Sequence, residues 1–110
     1  MTTSNTNALE KLWRRLQMSV GRGRIKTGND AGPVQILQVQ LGGQDVRDNT
    51  PRVVEYGFTS MPRAECQAVV LFVAGDRSNG VILGTNDDTA RLKNLKPGEV
   101  AIYDDLGQSV

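Results

Sequence analysis

The longest apolar run of the chain, residues 68–74, restricts its possible folds more than any other feature of the sequence. Seven residues are far too few to cross a membrane, since a transmembrane helix needs about 20. The run fits one β-strand that is apolar on both of its faces. A barrel strand buries only its inner face, so the outward side chains need another cover. The N-terminal helix of the same chain or a neighbouring subunit could supply that cover, and the sequence leaves both possibilities open.

Short strand-like segments separated by turn residues occupy most of the remaining chain. The clearest of these segments, residues 32–43, alternates apolar and polar residues, as a half-buried antiparallel strand does. Gly21 and Gly23 lie inside another of these segments and indicate a bulge or a sharp barrel bend. Besides the apolar run, the predicted strands are residues 19–29, 32–43, an edge strand at 52–56, 81–86 and 99–103.

This arrangement predicts an all-β domain, a small antiparallel OB-like barrel of five or six strands, at residues 19–110. A chain of 110 residues is long enough for one domain that buries about two thirds of the surface its unfolded form exposes. Residues 104–107 are expected to form the tip of a hairpin. Its return strand, residues 108–110, is unusually short.

A short helix is predicted at residues 7–18, and the polar segment 1–6 before it is expected to be disordered. Asn7 can cap the helix, and Glu10 three positions later completes a capping box. A helix of about a dozen residues is marginal in isolation, so it needs a surface to pack on. Its apolar stripe consists of Leu9, Leu12, Trp13 and Leu16, with Lys11, Arg14 and Arg15 outside the stripe.

The residue types present argue against an enzyme. The chain has no histidine and a single cysteine, Cys66, so it lacks an imidazole base, a zinc site of the usual kind and an internal disulfide. Neither a nucleophile elbow nor a Walker loop is present. We therefore predict no catalytic residues, no cofactor and no metal ligands. Cys66 is expected to be a small buried hydrophobe.

Two other features have a structural explanation that needs no ligand. Adjacent carboxylates occur at Asp87 and Asp88 and again at Asp104 and Asp105. They could hold a divalent cation, but neighbouring side chains diverge on a strand or turn, so we expect them to be solvated. The glycine-bounded segment 75–80 lies between two predicted strands and is expected to be a turn rather than a phosphate-binding loop.

Charge and aromatic content argue against nucleic acid as a partner. The formal net charge is +1, whereas single-stranded nucleic acid is bound by basic grooves that carry stacking aromatic side chains. Of the five aromatic residues, Trp13 belongs to the helix stripe and Phe72 to the core run. The charge is uneven, because residues 1–30 carry +4 and residues 86–110 carry −2, which hints at a docking end. A free OB-type module that binds oligonucleotide or oligosaccharide is the alternative function.

Two long segments carry a family resemblance: VEYGFTSMPRAECQAVVLFVAGDRSNGVILGTND and LKPGEVAIYDDLGQSV. Together with the helix, the GRGRIK that follows it and the VQILQVQL strand, they resemble the central spike (baseplate assembly) protein of Mu-like contractile-tailed phages. The resemblance covers residues 12–110. One departure concerns the turn before Glu65, where the family leads us to expect a glycine and this chain has Arg63 and Ala64.

The resemblance implies a structural protein of the virion, in the tail baseplate, that is present in the host cytoplasm during assembly. It implies a homotrimer whose N-terminal part is the OB-like barrel and whose C-terminal half winds into a β-helical spike that punctures the outer membrane. By this resemblance, the chain is expected to be the barrel domain alone, ending at the junction to the spike. Membrane contact, and the metal site of the spike tip where relatives have one, would then belong to the spike.

Two sets of residues are predicted to make the protein contacts that the resemblance implies. If Val69, Leu71 and Val73 face one way in the apolar strand, Val70 and Phe72 face the other, and one set must leave the barrel interior. Contact with the baseplate hub is predicted for Trp13, Arg14 and Arg15. The predicted subunit interface consists of Val70, Phe72, Val81 and Leu83. We expect a trimer at high concentration that dissociates on dilution.

Overall fold

Five strands close into a barrel behind one N-terminal helix in the computed structural model, which describes residues 3–110. A 3-10 turn at Val73–Gly75 follows the fourth strand. The elements are α1 (Thr3–Gln17), β1 (Val20–Asn29), β2 (Gln35–Gly42), β3 (Asp45–Arg52), β4 (Gln67–Phe72) and β5 (Gly80–Asn86). The predicted fold class, a small OB-like barrel with a short helix, is confirmed.

The strands follow the order β1-β2-β3-β5-β4 around the barrel. All neighbours are antiparallel except β3 and β5, which run parallel and meet at Arg52 and Ile82. This one parallel pair departs from the antiparallel barrel that the sequence predicted. The reason is the connection, because β4 lies between β3 and β5 in the chain and no hairpin joins them.

Strand β1 belongs to both sides of the barrel, and its glycines make this possible. Residues 20–24 pair with β4, and residues 24–29 pair with β2. A Cβ atom on Gly23 would lie 2.3 Å from the Gln40 carbonyl oxygen, and one on Gly28 would lie 2.2 Å from Leu37 Cδ2. Any side chain would collide at these two positions. The close approach of β1 to β2 therefore requires glycine at these positions, and the register shift of the pair lies between Ile25 and Thr27.

The hydrophobic core fills the barrel interior. Strand β4 contributes most to it, because its residues alternate between buried and outward-facing. Burying one such large apolar side chain is worth about 1.5–3 kcal/mol. The core consists of Ile25, Leu37, Val39, Cys66, Ala68, Val70, Phe72 and Ile82. Cys66 is a small buried hydrophobe, as predicted, and burial raises the pKa of its thiol.

The third strand is the main error in the predicted strand positions. It spans Asp45–Arg52, whereas the sequence pattern placed an edge strand at residues 52–56. Its only fully buried side chain is Thr50, whose hydroxyl donates to the Arg47 carbonyl oxygen at 3.4 Å. A strand with so little apolar alternation gives almost no hydrophobic signal. Residues 53–66 form a loop instead.

Both ends of the chain also differ from their predicted structure. Helix α1 begins at Thr3, so Asn7 lies inside the helix rather than at its cap. Of the segment 1–6, expected to be disordered, residues 1 and 2 lie outside the described part of the chain. At the other end, residues 99–103 form no strand. The predicted hairpin is present as an isolated bridge between Tyr103 and Ser109.

Candidate assembly interface

Two of the carboxylates considered as cation ligands, Asp87 and Asp104, hold turns in this fold. Within residues 3–110, no three histidine, cysteine, aspartate or glutamate side chains lie close enough to hold a metal ion. The Asp87 carboxylate accepts the N–H groups of Thr89 and Ala90, each at 3.0 Å. The Thr89 hydroxyl is the main cause that holds the pKa of Asp87 below its usual value. Asp104 accepts the N–H groups of Leu106 and Gln108 in the C-terminal hairpin.

The segment predicted as a turn, residues 75–80, lies in the connection between β4 and β5. The Asp76 carboxylate accepts the N–H and the hydroxyl of Ser78 at 3.0 and 2.7 Å, which makes this a self-contained turn. The guanidinium of Arg77 lies 4.4 Å from the centroid of the Phe72 ring. Arg77 thus covers the core with its cation over an aromatic face.

The outward surface of β1, β4 and β5 is apolar, and it is uncovered in the single chain. Val69 is 39% exposed and Leu71 is 37% exposed, whereas Val70 and Phe72 are each 1% exposed. The alternation of β4 is thereby fixed, with Val70 and Phe72 in the core. This corrects the prediction that these two residues form the subunit interface.

The other two predicted interface residues, Val81 and Leu83, lie on this outward surface. Val81 is opposite Leu71 in the ladder, so both point the same way. Leu83 is more than half exposed and is the extra residue at a register shift between β4 and β5. We define the outer apolar face as Val20, Val69, Leu71, Val81 and Leu83.

Two arginines border the outer apolar face along β1. Arg22 is opposite Val69 and Arg24 is opposite Gln67, so both side chains point outward. Arg24 Nη1 donates to the Glu65 carbonyl oxygen at 2.8 Å. Arg22 has no hydrogen bond or ion pair with any residue in the described part of the chain. A shallow groove runs between these arginines and Gly84 on β5.

Helix α1 does not cover the outer apolar face. Its stripe of Leu9, Leu12, Trp13 and Leu16 is itself more than half exposed at every position. The helix contacts the barrel at the 3-10 turn Val73–Gly75. The N-terminal helix, one of the two possible covers for the apolar strand, therefore does not cover that strand in this structure. The predicted hub-contact residues Trp13, Arg14 and Arg15 are all exposed.

The helix and the C-terminal hairpin lie at opposite ends of the barrel. At the helix end, the N–H of Phe72, the last residue of β4, donates to the Ser19 carbonyl oxygen at 2.7 Å. At the hairpin end, Tyr103 and Asp104 share a groove with Cys66, just before β4 begins. The molecule is accordingly elongated, with a longest dimension of 61 Å.

An exposed apolar loop follows β3, where the sequence pattern predicted an edge strand at residues 52–56. Tyr56 is 100% exposed, and Val53 and Phe58 are more than half exposed. The Phe58 N–H donates to the Glu55 carbonyl oxygen at 3.1 Å, which closes a turn through Gly57. We call residues 53–58 the Tyr56 loop. The edge strand predicted at residues 52–56 overlaps the Tyr56 loop, although Gly57 and the nearby prolines are ordinary loop signals.

Arg52 anchors the chain beside this loop. Its Nη1 donates to Gln35 Oε1 at 3.1 Å and to the Ser60 carbonyl oxygen at 2.7 Å. Its Nη2 donates to Ser60 Oγ at 3.1 Å and to Thr85 Oγ1 at 3.5 Å. Burial is the main cause that lowers the pKa of Arg52. One guanidinium thus ties the 53–66 loop to β2, β3 and β5.

Comparison with known proteins identifies the family. Residues 22–89, more than half of the chain, match the family described as Bacteriophage Mu Gp45, N-terminal. The chain belongs to this family. The matched part of the Mu Gp45 family domain begins in β1 and ends just after β5, so it contains almost all of the barrel. The resemblance seen in the sequence is confirmed.

Two curated relatives extend the match to other parts of the chain. The baseplate puncturing device gp45 of Escherichia phage Mu is 31% identical over 114 residues, which cover 100% of this chain and 58% of that protein. The Mu-like prophage FluMu protein gp45 of Haemophilus influenzae is 36% identical over 92 residues, covering 84% of this chain and 50% of that protein. The chain therefore spans between half and three fifths of the length of these Mu Gp45 relatives.

The described helix has no membrane-spanning character. In the part of the chain that the structure describes, no helix has both the length and the apolar content needed to cross a bilayer.

Proposed function

We propose that this domain is a structural, non-enzymatic adaptor in the tail baseplate of a Mu-like phage. It joins the baseplate hub at its helix end to a membrane-puncturing spike at its hairpin end. The observation that carries the proposal is the placement of α1 and the C-terminal hairpin at opposite ends of one closed barrel. The name of the phage Mu relative, a baseplate puncturing device, supports the same role.

The barrel is suited to transmit force between the two ends. Its strands form a closed ring of backbone hydrogen bonds, and β4 runs from the hairpin end to the helix end. In the proposed assembly, three barrels surround a threefold axis and act together during contraction of the tail. The uncovered outer apolar face supports an oligomer, because an apolar surface of this kind marks a protein contact.

Hub contact is assigned to α1. Trp13 and its stripe neighbours form an exposed apolar surface, and Arg14 and Arg15 lie in the last turn of the helix. Such a helix binds by placing its apolar face in a groove of the partner. Its basic residues favour a groove bordered by carboxylates.

Spike contact is assigned to the hairpin end. Val100, Ile102 and Leu106 are more than half exposed there, although a hairpin of this size has little stability alone. A spike segment packed against these side chains would bury them. In this proposal the spike makes the only membrane contact, and the protein is located in the virion tail after assembly in the host cytoplasm.

Complementation of a phage that lacks this gene tests the proposed function. The full-length protein with Trp13→Asp and Arg15→Glu is expected to fold but to be missing from purified tails, and infectious particles should fall sharply. Lys93→Glu, a charge change at an exposed position outside α1, is the matched control and should be incorporated normally. Normal tails and full infectivity without any of this protein would overturn the proposal.

A further inference from the structure

We propose that the Tyr56 loop of one copy docks on the outer apolar face of a second copy, so that each subunit contact is loop to face. This inference rests on the proposed function, because it specifies how the barrels of the baseplate adaptor associate. It assigns two separate surfaces of the chain to one interface.

The outer apolar face requires an occupant that is apolar in the middle and acidic at one border. Val69, Leu71 and Leu83 supply exposed apolar area. Arg22, which has no partner among the described residues, adds a positive charge directly beside Val69. Burying this arginine without a counter-charge would be costly, so the occupant must bring a carboxylate.

The Tyr56 loop has the complementary composition. Tyr56 and Phe58 present large exposed rings, and such side chains are the common anchors of protein interfaces. Glu55, between them and the barrel, is exposed and forms no ion pair with any residue of the described chain. Its carboxylate is therefore available to Arg22 of a second copy.

Charge makes α1 of a second copy a poorer occupant of the outer apolar face than the Tyr56 loop. The helix stripe is apolar too, but Lys11, Arg14 and Arg15 flank it. Placing these residues against Arg22 and Arg24 would bring like charges together, which disfavours the contact. The basic helix is left for a partner with an acidic surface, which agrees with the hub contact proposed above.

The C-terminal hairpin is a second competitor, and its carboxylates are partly occupied. Asp104 already accepts the N–H groups of Leu106 and Gln108 within the hairpin, and Glu99 accepts the Lys96 N–H at 2.6 Å. Asp105 is the remaining acidic side chain of this hairpin. A charge reversal at Asp105 therefore tests whether the hairpin, rather than the Tyr56 loop, occupies the outer apolar face.

The two surfaces adjoin on each chain, which suits a closed ring. The groove beside the Tyr56 loop is lined by Val53, Phe58, Leu83 and Gly84, so it ends where the outer apolar face begins. A contact between two different surfaces is heterologous, and such contacts close into a ring when the rotation permits.

Charge reversal tests the contact in the full chain, with sedimentation velocity over a concentration series as the measurement. Arg22→Glu and Glu55→Arg are each expected to weaken association about tenfold or more, because close interfacial charge pairs are strongly coupled. The double variant should recover most of the loss. Asp105→Arg and Lys93→Glu are controls that should associate like the parent. All four positions are exposed, so the fold should survive, which circular dichroism checks.

Mixing two interface variants provides a second test. Tyr56→Asp removes the loop surface and Val69→Asp removes the face, so each variant alone should be a folded monomer. A mixture retains one intact loop-to-face contact and should give a one-to-one heterodimer but no trimer. Absence of the heterodimer would overturn the inference, as would a parent that is monomeric at every concentration or a double charge variant that is not rescued. Weakening by Asp105→Arg alone would assign the face to the hairpin instead.

These results are separable from the test of the proposed function. If the parent protein enters tails but charge reversal at Glu55 and Arg22 changes nothing, the loop contact is wrong and the baseplate role stands. If the parent is absent from tails while the charge swap behaves as expected, the baseplate role fails and the loop contact stands.

Discussion

Gly75 lies directly against the backbone of Arg15, where helix α1 meets the barrel. A Cβ atom on Gly75 would stand 2.6 Å from the Arg15 carbonyl oxygen, which is closer than real atoms approach. The backbone of Gly75 also has a φ of 73°, which disfavours any side chain. A glycine at position 75 therefore permits the close approach of helix α1 to the barrel.

Gly75→Ala is expected to detach α1 from the barrel without unfolding the barrel. Gly43→Ala is the matched control, because Gly43 also has a positive φ, 49°, but has open space around it. Backbone strain should lower the free energy of unfolding of both variants by about 1–2 kcal/mol. Only Gly75→Ala should speed tryptic cleavage after Arg14 and Arg15. Equal cleavage rates in the two variants would show that the close approach does not hold the helix.

A second prediction separates the two faces of β4. Val70→Asp places a charge in the barrel core and should unfold the domain, because an unpaired buried charge is very costly. Leu71→Asp places the same charge on the outer apolar face, so the barrel should fold and associate more weakly. Circular dichroism and light scattering coupled to size exclusion measure both properties. Unfolding by both variants would contradict the outward placement of Leu71.

The sequence predicted β1, β2, β4 and β5 because each carries a clear apolar signal or turn residues at its ends. It could not predict β3, since Thr50 is the only fully buried side chain of that strand and is polar. The sequence also could not predict which face of β4 is buried, because the strand is apolar on both faces. The burial of Val70 and Phe72, with Val69 and Leu71 exposed, settles it.

Only part of the candidate interface could be predicted, because the sequence does not show which face of β4 points outward. Of the four predicted interface residues, Val81 and Leu83 lie on the outward surface, whereas Val70 and Phe72 lie in the core. The role proposed for Arg22 depends on its position opposite Val69, and cross-strand register cannot be read from one sequence. The Tyr56 loop was hidden by the misplaced third strand.

Glu65 occupies the position where the turn before β4 needs a left-handed backbone. Its φ is 71°, and the glycine that the family resemblance led us to expect nearby is missing. Glu65 is held by its N–H, which donates to the Ile25 carbonyl oxygen at 2.7 Å, and by an ion pair with Lys26. Glu65→Gly should relieve the backbone strain and lose the ion pair, so its thermal midpoint should stay near that of the parent at neutral pH. Glu65→Ala loses the ion pair and keeps the strain, so it should melt lower than both.

The same ion pair gives a pH dependence. The hydrogen bond from Lys26 is the main cause that lowers the pKa of Glu65. A lowered folded-state pKa means that the contribution to stability is present above the unfolded pKa and is lost as the pH falls through the folded value. Glu65→Gln should therefore be less stable than the parent at neutral pH, and the difference should disappear in acid. Chemical denaturation at several pH values measures it, and a constant difference would contradict the assignment.

Arg52→Lys should destabilise the barrel although the charge is kept. Lysine cannot reproduce the planar fork that donates to Gln35, Ser60 and Thr85 together. Loss of these hydrogen bonds should cost about 1–3 kcal/mol in the free energy of unfolding. Arg91→Lys, at an exposed position, is the control and should be neutral. Urea denaturation distinguishes the two, and a neutral Arg52→Lys would mean that the clamp contributes little.

The groove on the outer apolar face should not bind single-stranded nucleic acid with useful affinity. Arg22 and Arg24 provide charge there, but no aromatic side chain lines the groove, and Phe72 lies in the core. Stacking supplies about 1–3 kcal/mol per base in sequence-independent binding, so its absence removes most of the affinity. Titration of a labelled oligonucleotide at physiological salt should give at most weak binding. Micromolar binding that weakens steeply with added salt would favour the OB-type binding module over the baseplate adaptor, because such salt dependence reports phosphate contacts.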